Sequence, residues 1–221
     1  MNVSEAVTSR RSVRQFLDKP VDRSVLERVL ETAQRSPSGG NTQPWNAVVV
    51  GGDELTRIAD AIKAKVPAAP MGENMEYEIY PKDLDGRYEA QRRAVGKGMF
   101  DAVGLERGDS AGRIAQMAKN WDSFGAPVQL FTYTKKYMGP PQWSDLGMFL
   151  QTFMLLAQEA GLDTCPQEAW ANRSDAVRSF VEPGDDLMLF CGMAIGYKDE
   201  TAPVNSLVSD RAPIDEWARF L

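Results

Sequence analysis

The sequence predicts an α+β fold. Seven stretches carry helical spacing or helix-capping chemistry, whereas only three short apolar or β-branched runs read as strands. The strand runs are few and far apart, enough for one sheet and too few for a sandwich or barrel. Gly- and Pro-dense breaks separate the elements, and no internal repeat or low-complexity stretch interrupts them.

The first element is a short helix. Ser4 is placed to cap it, Glu5 sits in its first turn, and Arg10 and Arg11 close it. A second helix runs from about Asp22 to Arg35, with Val25, Leu26, Val29, Leu30 and Ala33 on one face. Ser36 to Pro44 is too rich in Ser, Gly, Asn and Pro to be anything but a loop. Trp45 to Val50 is a β-branched run stopped by Gly51-Gly52, which predicts a buried strand. Asp53 to Lys65 is helical.

Pro67 to Asp85 is an excursion with little regular structure, of a length that often serves function. Helices follow over Arg87–Val103 and Asp109–Trp121, then a strand over Val128–Thr134. Trp143 to Ala160 is apolar nearly all round, so it belongs deep in a core or in a subunit interface. Gly161 stops it. Leu162 to Cys165 is a short extended stretch leading to Pro166, Arg173 to Phe180 is a helix, and Leu187 to Ile195 is the third strand. The aromatic tail, Pro213 to Leu221, is expected to dock on protein.

Composition excludes whole classes of chemistry. Among 221 residues there is no histidine, so no Ser-His-Asp or Cys-His nucleophile and no histidine metal or haem site can exist. Any hard chemistry then belongs to a cofactor. Cys165 and Cys191 lie in apolar surroundings and are expected to be small buried hydrophobes in a cytoplasmic protein. A formal charge of −6 disfavours sequence-independent nucleic-acid binding. No run is apolar and long enough to span a membrane.

Four segments carry polar chemistry. Arg10-Arg11-Ser12-Val13-Arg14 concentrates three guanidiniums and a hydroxyl, a donor set suited to phosphate or carboxylate. Ser36 to Trp45 offers glycines for close backbone approach and small polar contacts, but lacks the spacing of a Walker loop or dinucleotide fingerprint. Thr164 to Trp170 contains Pro166, Gln167, Glu168 and Ala169, whose backbone amides can meet the edge of a flat heterocycle. Glu168 has no visible acid–base partner. Ser209-Asp210-Arg211-Ala212-Pro213 alone is an ordinary surface turn.

In order and spacing these segments resemble the FMN-dependent nitroreductase family. The resemblance rests on Arg10-x-Ser12-x-Arg14, Pro37-Ser38-Gly39-x-Asn41-x-Gln43-Pro44-Trp45, Gly161-Leu162 and Arg211-x-Pro213. The segments Gly139–Gly147 and Thr164–Glu168 look most like the branch of bacterial nitrobenzoate reductases. The resemblance covers almost the whole chain and implies a single FMN-binding domain over residues 1–221. It also implies a mostly antiparallel sheet flanked by helices, in a domain-swapped homodimer.

The same resemblance implies that Arg10, Ser12 and Arg211 hold the FMN phosphate, with Arg11 assisting, and that Arg14 lies near the pyrimidine edge. Pro37, Ser38, Gly39 and Asn41 would reach in from the partner subunit. Pro166, Gln167, Glu168 and Ala169 would line the N5 side; Ala169 stands where relatives carry glycine. Asn74 is a candidate for a further flavin contact. The implied reaction is ping-pong hydride transfer from NADH or NADPH to a small aromatic nitro compound. A quinone or enone reductase, a reductive dehalogenase, or a flavin-binding protein without turnover are the alternatives. Candidates to cover the open flavin face are Pro67–Asp85, the chain near Phe124, and Met138–Trp143.

Overall fold

The computed structural model describes residues 1–221 and builds one antiparallel sheet from β1 (Asn46–Gly51), β2 (Val128–Lys135), β3 (Asp163–Gln167) and β4 (Leu187–Gly196). The strand order is β1-β2-β4-β3. Seven helices surround it: α1 (Val3–Ser9), α2 (Arg23–Ala33), α3 (Gly52–Lys63), α4 (Gly86–Ala102), α5 (Ser110–Ala118), α6 (Pro140–Glu159) and α7 (Ser174–Val181).

Each face of the sheet carries its own core. On one side Leu130, Met193 and Ile195 pack against Leu26 and Val29 of α2 and Phe149 and Phe153 of α6. On the other, Phe131, Tyr133 and Leu189 pack against Ile58 and Ile62 of α3, Val177 of α7 and the fully buried Trp170. Trp170 meets Phe131 edge-on, with centroids 5.0 Å apart.

A bulge in β4 divides its length. Thr132 pairs with Cys191 but Tyr133 pairs with Leu189, leaving Phe190 as an extra residue. One extra residue inverts the alternation of a strand. Leu187 and Leu189 therefore face α3 and α7, whereas Cys191, Met193 and Ile195 face α2 and α6.

The structure corrects several expectations. Asn2, not Ser4, caps α1: its Oδ1 accepts from the Glu5 N–H at 2.9 Å, and the Glu5 carboxylate accepts from the Asn2 N–H at 2.9 Å. β1 is not buried. Only Val50 is, because β1 is an edge strand and one of its faces is open in the single chain. The extended stretch at Leu162–Cys165 is, from Asp163, part of a paired strand that runs on to Gln167; it tolerates Pro166 because β3 is the other edge, where a missing N–H breaks no ladder.

α6 starts at Pro140, three residues before Trp143, since proline suits the first turn. Its inner face is buried, but Met148 is 39% exposed. The C-terminal tail does not dock on its own chain: Trp217, Phe220 and Leu221 are exposed, and the segment is held mainly where Arg87 donates to the Glu216 carbonyl.

Candidate active site

The arginine cluster is displayed by an extended segment. After the end of α1, Ser12 bridges to Thr164 of β3, and the Val13 N–H donates to the Thr164 carbonyl at 3.0 Å. Val13 and Phe16 turn inward and are buried, leaving Arg10, Arg11, Ser12 and Arg14 half-buried. Asn205 anchors the segment: its Oδ1 accepts from the Arg14 N–H at 2.8 Å, and its amide donates to the Gln15 carbonyl at 2.8 Å.

Arg10, Arg11, Ser12, Arg14 and Arg211 line one cavity of about 560 Å³. None of the four guanidiniums lies within ion-pair distance of a carboxylate, although eleven ion pairs form elsewhere in the chain. Three of them lean on main-chain carbonyls instead. Arg11 donates to Thr8 O at 2.7 Å, Arg14 to Ser12 O at 3.2 Å, and Arg211 to Ser209 O at 3.0 Å. Burial, then the charges of Arg211 and Arg11, hold the Arg10 guanidinium below its usual range. A crowd of partly desolvated cations without counter-charge is a site built for an anion.

The second cavity, of about 850 Å³, adjoins the first at Gln151 of α6. Pro166, Gln167, Glu168 and Ala169 line it, as do Leu150, Met154 and Phe190. The β4 bulge is what aims Phe190 there. Tyr77 donates its hydroxyl to the Phe190 carbonyl, and its ring stacks on Phe190 at 5.9 Å. Partial burial raises the Glu168 carboxyl above the ordinary range. Full burial pushes the thiols of Cys165 and Cys191 up to about 11 and about 12, so neither is a nucleophile near neutrality.

The excursion over 67–85 does cover this cavity, through Met71, Met75, Ile79 and Tyr80. It is fastened to the turn after β3 and to β4: the Glu73 N–H donates to Asn172 O at 2.9 Å, and Glu76 accepts from the Leu189 N–H at 3.4 Å. Gly72 meets Asn172 so closely that an added Cβ would lie 2.3 Å from its carbonyl oxygen. Of the other two suggested covers, the chain near Phe124 contributes Asn120 and Trp121 to the lining, whereas Met138–Trp143 contributes nothing. Phe124 is buried in the core, and Trp143 packs behind Phe190 and Tyr77 without lining the cavity. Asn74 is not a lining residue either; its amide donates to Asp175.

Pro37, Ser38, Gly39 and Asn41 are not brought to the arginines within one chain, as they line neither cavity. They form an exposed turn on the far side of α6, tied to it where the Gly39 N–H donates to the buried Asp145 carboxylate at 3.3 Å. Residues absent from the sequence-derived set complete the site: Gln151, Met154, Asn120, Met117 and Phe190. One carried a readable signal, since Gln151 and Thr152 alone interrupt the apolar run Leu146–Ala157.

Residues 7–197 match the nitroreductase family. A 4-nitrobenzoate reductase of Pseudomonas putida is 34% identical over 97% of this chain and 93% of its own length. The crystal structure of the FMN and NADPH-dependent nitroreductase NfnB from sphigopyxis sp. strain HMH superposes with a TM-score of 0.97 at 48% identity, covering 100% of this chain and 99% of that one. NfnB of Mycobacterium smegmatis, solved in complex with NADPH, gives a TM-score of 0.93 at 27% identity over 99% and 97%. By sequence match and fold, this chain belongs to the nitroreductase family.

Proposed function

We propose that the chain is an FMN-dependent NAD(P)H oxidoreductase that reduces small aromatic nitro compounds. It acts as one domain over residues 1–221, in the cytoplasm and as a homodimer. The observation that carries this reading is the joined pair of cavities: four guanidiniums without counter-charge at one end, and a largely apolar slot at the other.

The residues present fit FMN. Arg10, Ser12 and Arg211, with Arg11 beside them, would hold the phosphate, which carries about two negative charges. Arg14 would place a fixed positive charge at the pyrimidine edge. Pro166, Gln167, Glu168 and Ala169 would set the tilt of the ring with their backbone, on the rigid edge formed by β3. When bound, FMN would supply the two-electron chemistry, taking hydride from NAD(P)H and passing it on with protons from solvent, so that the nitro group loses one oxygen as water to give the nitroso and then the hydroxylamino product. The chain then has to orient and dehydrate rather than exchange protons, so the missing histidine is no obstacle.

The homodimer reading draws on surfaces that the single chain leaves open. β1, the outer face of α6 at Met148, and the tail at Trp217 and Phe220 are apolar and exposed. The turn bearing Pro37, Ser38, Gly39 and Asn41 would then reach the partner's cofactor. Loss of FMN and loss of dimer are accordingly expected to track each other on dilution, followed by flavin fluorescence and sedimentation. A monomer with stoichiometric FMN contradicts this.

The test of the reaction is anaerobic spectroscopy. The yellow holoenzyme should bleach with NAD(P)H and recolour with a nitroaromatic; a yellow protein indifferent to NAD(P)H favours a flavin-binding role without turnover. The pH–rate profile should be flat between about pH 6 and pH 7, where histidine would titrate. Because burial raises Glu168, its carboxyl stays protonated to higher pH than an ordinary glutamate. Any rate change on the acid side is expected to follow its ionisation and to vanish in Glu168→Gln. An inflection that persists in that variant assigns the change elsewhere.

A further inference from the structure

We propose that the cavity between α4 and α5 binds the 2′-phosphate of NADPH through Arg92, Arg107 and Arg113, so that this chain selects NADPH over NADH. The inference rests on the oxidoreductase reading above and adds to it the identity and location of the donor's recognition site.

A third cavity, of about 820 Å³, opens between these helices and shares Tyr80, Arg92, Met117 and Asn120 with the apolar slot. The two spaces are therefore continuous. Its lining holds six cationic side chains against two carboxylates, in a protein whose overall charge is −6. Some of that charge is already committed: Arg14 also lines the first cavity and belongs to the arginine cluster there. Lys97 pairs with Asp101, one of the two lining carboxylates, and Arg93 pairs with Glu89 at 2.5 Å.

Arg92, Arg107 and Arg113 pair with no carboxylate. Aromatic faces hold two of them in place. The Arg92 guanidinium lies 4.5 Å from the centroid of Tyr80, and that of Arg113 lies 4.6 Å from the centroid of Phe100. The Nε of Arg113 is buried and has no hydrogen-bond partner. A half-buried guanidinium without a counter-charge favours an anion that can approach its open nitrogens.

The chemistry of the ligand follows from position. The phosphate of FMN is already matched by Arg10, Arg11 and Arg211, which do not line this cavity. A small aromatic substrate held in the slot meets Arg92 but not Arg107 or Arg113, which line only the outer space. A dinucleotide with its nicotinamide in the slot extends beyond it and carries its adenosine outward. A ribose 2′-phosphate is a dianion with several acceptor oxygens, matched to rigid guanidinium forks.

The experiment compares wild-type holoenzyme with Arg107→Ala and Arg113→Gln. Steady-state kcat/KM is measured for NADPH and NADH, and binding of adenosine 2′,5′-bisphosphate and of adenosine 5′-monophosphate by calorimetry. Wild type should prefer NADPH and the bisphosphate. The variants should lose about ten- to a hundredfold in kcat/KM for NADPH, the worth of one or two charge-assisted contacts, with NADH unchanged.

Arg107 is exposed in the segment between the helices, so Arg107→Glu adds a charge reversal without touching the core. Equal use of both donors by wild type, or equal losses on both in the variants, overturns the proposal. So does a loss confined to carboxylated nitroaromatics, which would make these arginines a substrate site. If the holoenzyme reduces nothing with either donor, the oxidoreductase reading fails, and the nucleotide titration still decides whether a 2′-phosphate site exists.

Discussion

Arg211→Ala is expected to weaken FMN binding about ten- to a hundredfold, because it removes a charge-assisted contact of about 1.5–3 kcal/mol from a phosphate. The apo-protein should respond in the opposite direction. Without FMN, Arg211 acts on Arg10 as a like charge and helps to hold its guanidinium below the usual range. Removing it relieves the cluster. The gap in melting temperature between apo- and holoprotein should therefore shrink from both sides. Arg211→Lys should recover only part of the affinity, since a point charge cannot reproduce a planar donor fork. At saturating FMN the variant should still turn over. Unchanged affinity with collapsed turnover would move Arg211 into the substrate pocket, and no effect on either would return it to an ordinary surface turn.

Trp170→Ala is expected to cost about 3–5 kcal/mol of stability, as for other buried aromatic truncations. Trp170 is fully buried, edge-on to Phe131, and its Nε1 donates to Gln167 Oε1 at 3.2 Å. It also lies over Gly192 of β4. A Cβ built there would lie 2.3 Å from Trp170 Cδ1 and 2.6 Å from Gln129 Nε2. Gly192→Ala alone should thus be destabilising by overpacking. In the Trp170→Ala background the same methyl enters the space the indole vacated, so the double variant should be less damaged than the two costs added. Denaturant melts at one fixed protein and FMN concentration measure this. Simple additivity would show that Trp170 and Gly192 are not in contact. Because Gln167 lies on the cavity wall and Trp170 holds its side chain, loss of the indole should also loosen the site.

Much of the helical framework was legible because capping and helical periodicity are local. Asp22 caps α2 by accepting from the Ser24 N–H at 2.8 Å, and Gly161 ends α6 at φ +78°, as their residue types predict. The arginine motif was legible because Arg10, Arg11, Ser12 and Arg14 are neighbours in sequence. What failed depended on distant partners. Asp163–Gln167 is a strand because β4 lies beside it, and its proline hid how far it runs. The β-branched composition of β1 suggested burial, which its place at the sheet edge denies. Arg211 stands in an unremarkable turn and belongs to the site only because the chain returns to Arg10 about two hundred residues later.

Local chemistry thus determined which segments are helices, that the hard chemistry belongs to a cofactor, and which side chains can receive an anion. Tertiary structure alone decided that four unpaired guanidiniums share one cavity and that a bulge turns Phe190 into the adjoining slot. It also decided that a second set of unpaired arginines stands beyond that slot. The physical reason is range. Caps, periodicity and turn preferences act within a few residues, whereas desolvation, like-charge crowding and strand register arise when segments far apart in the chain share the same space.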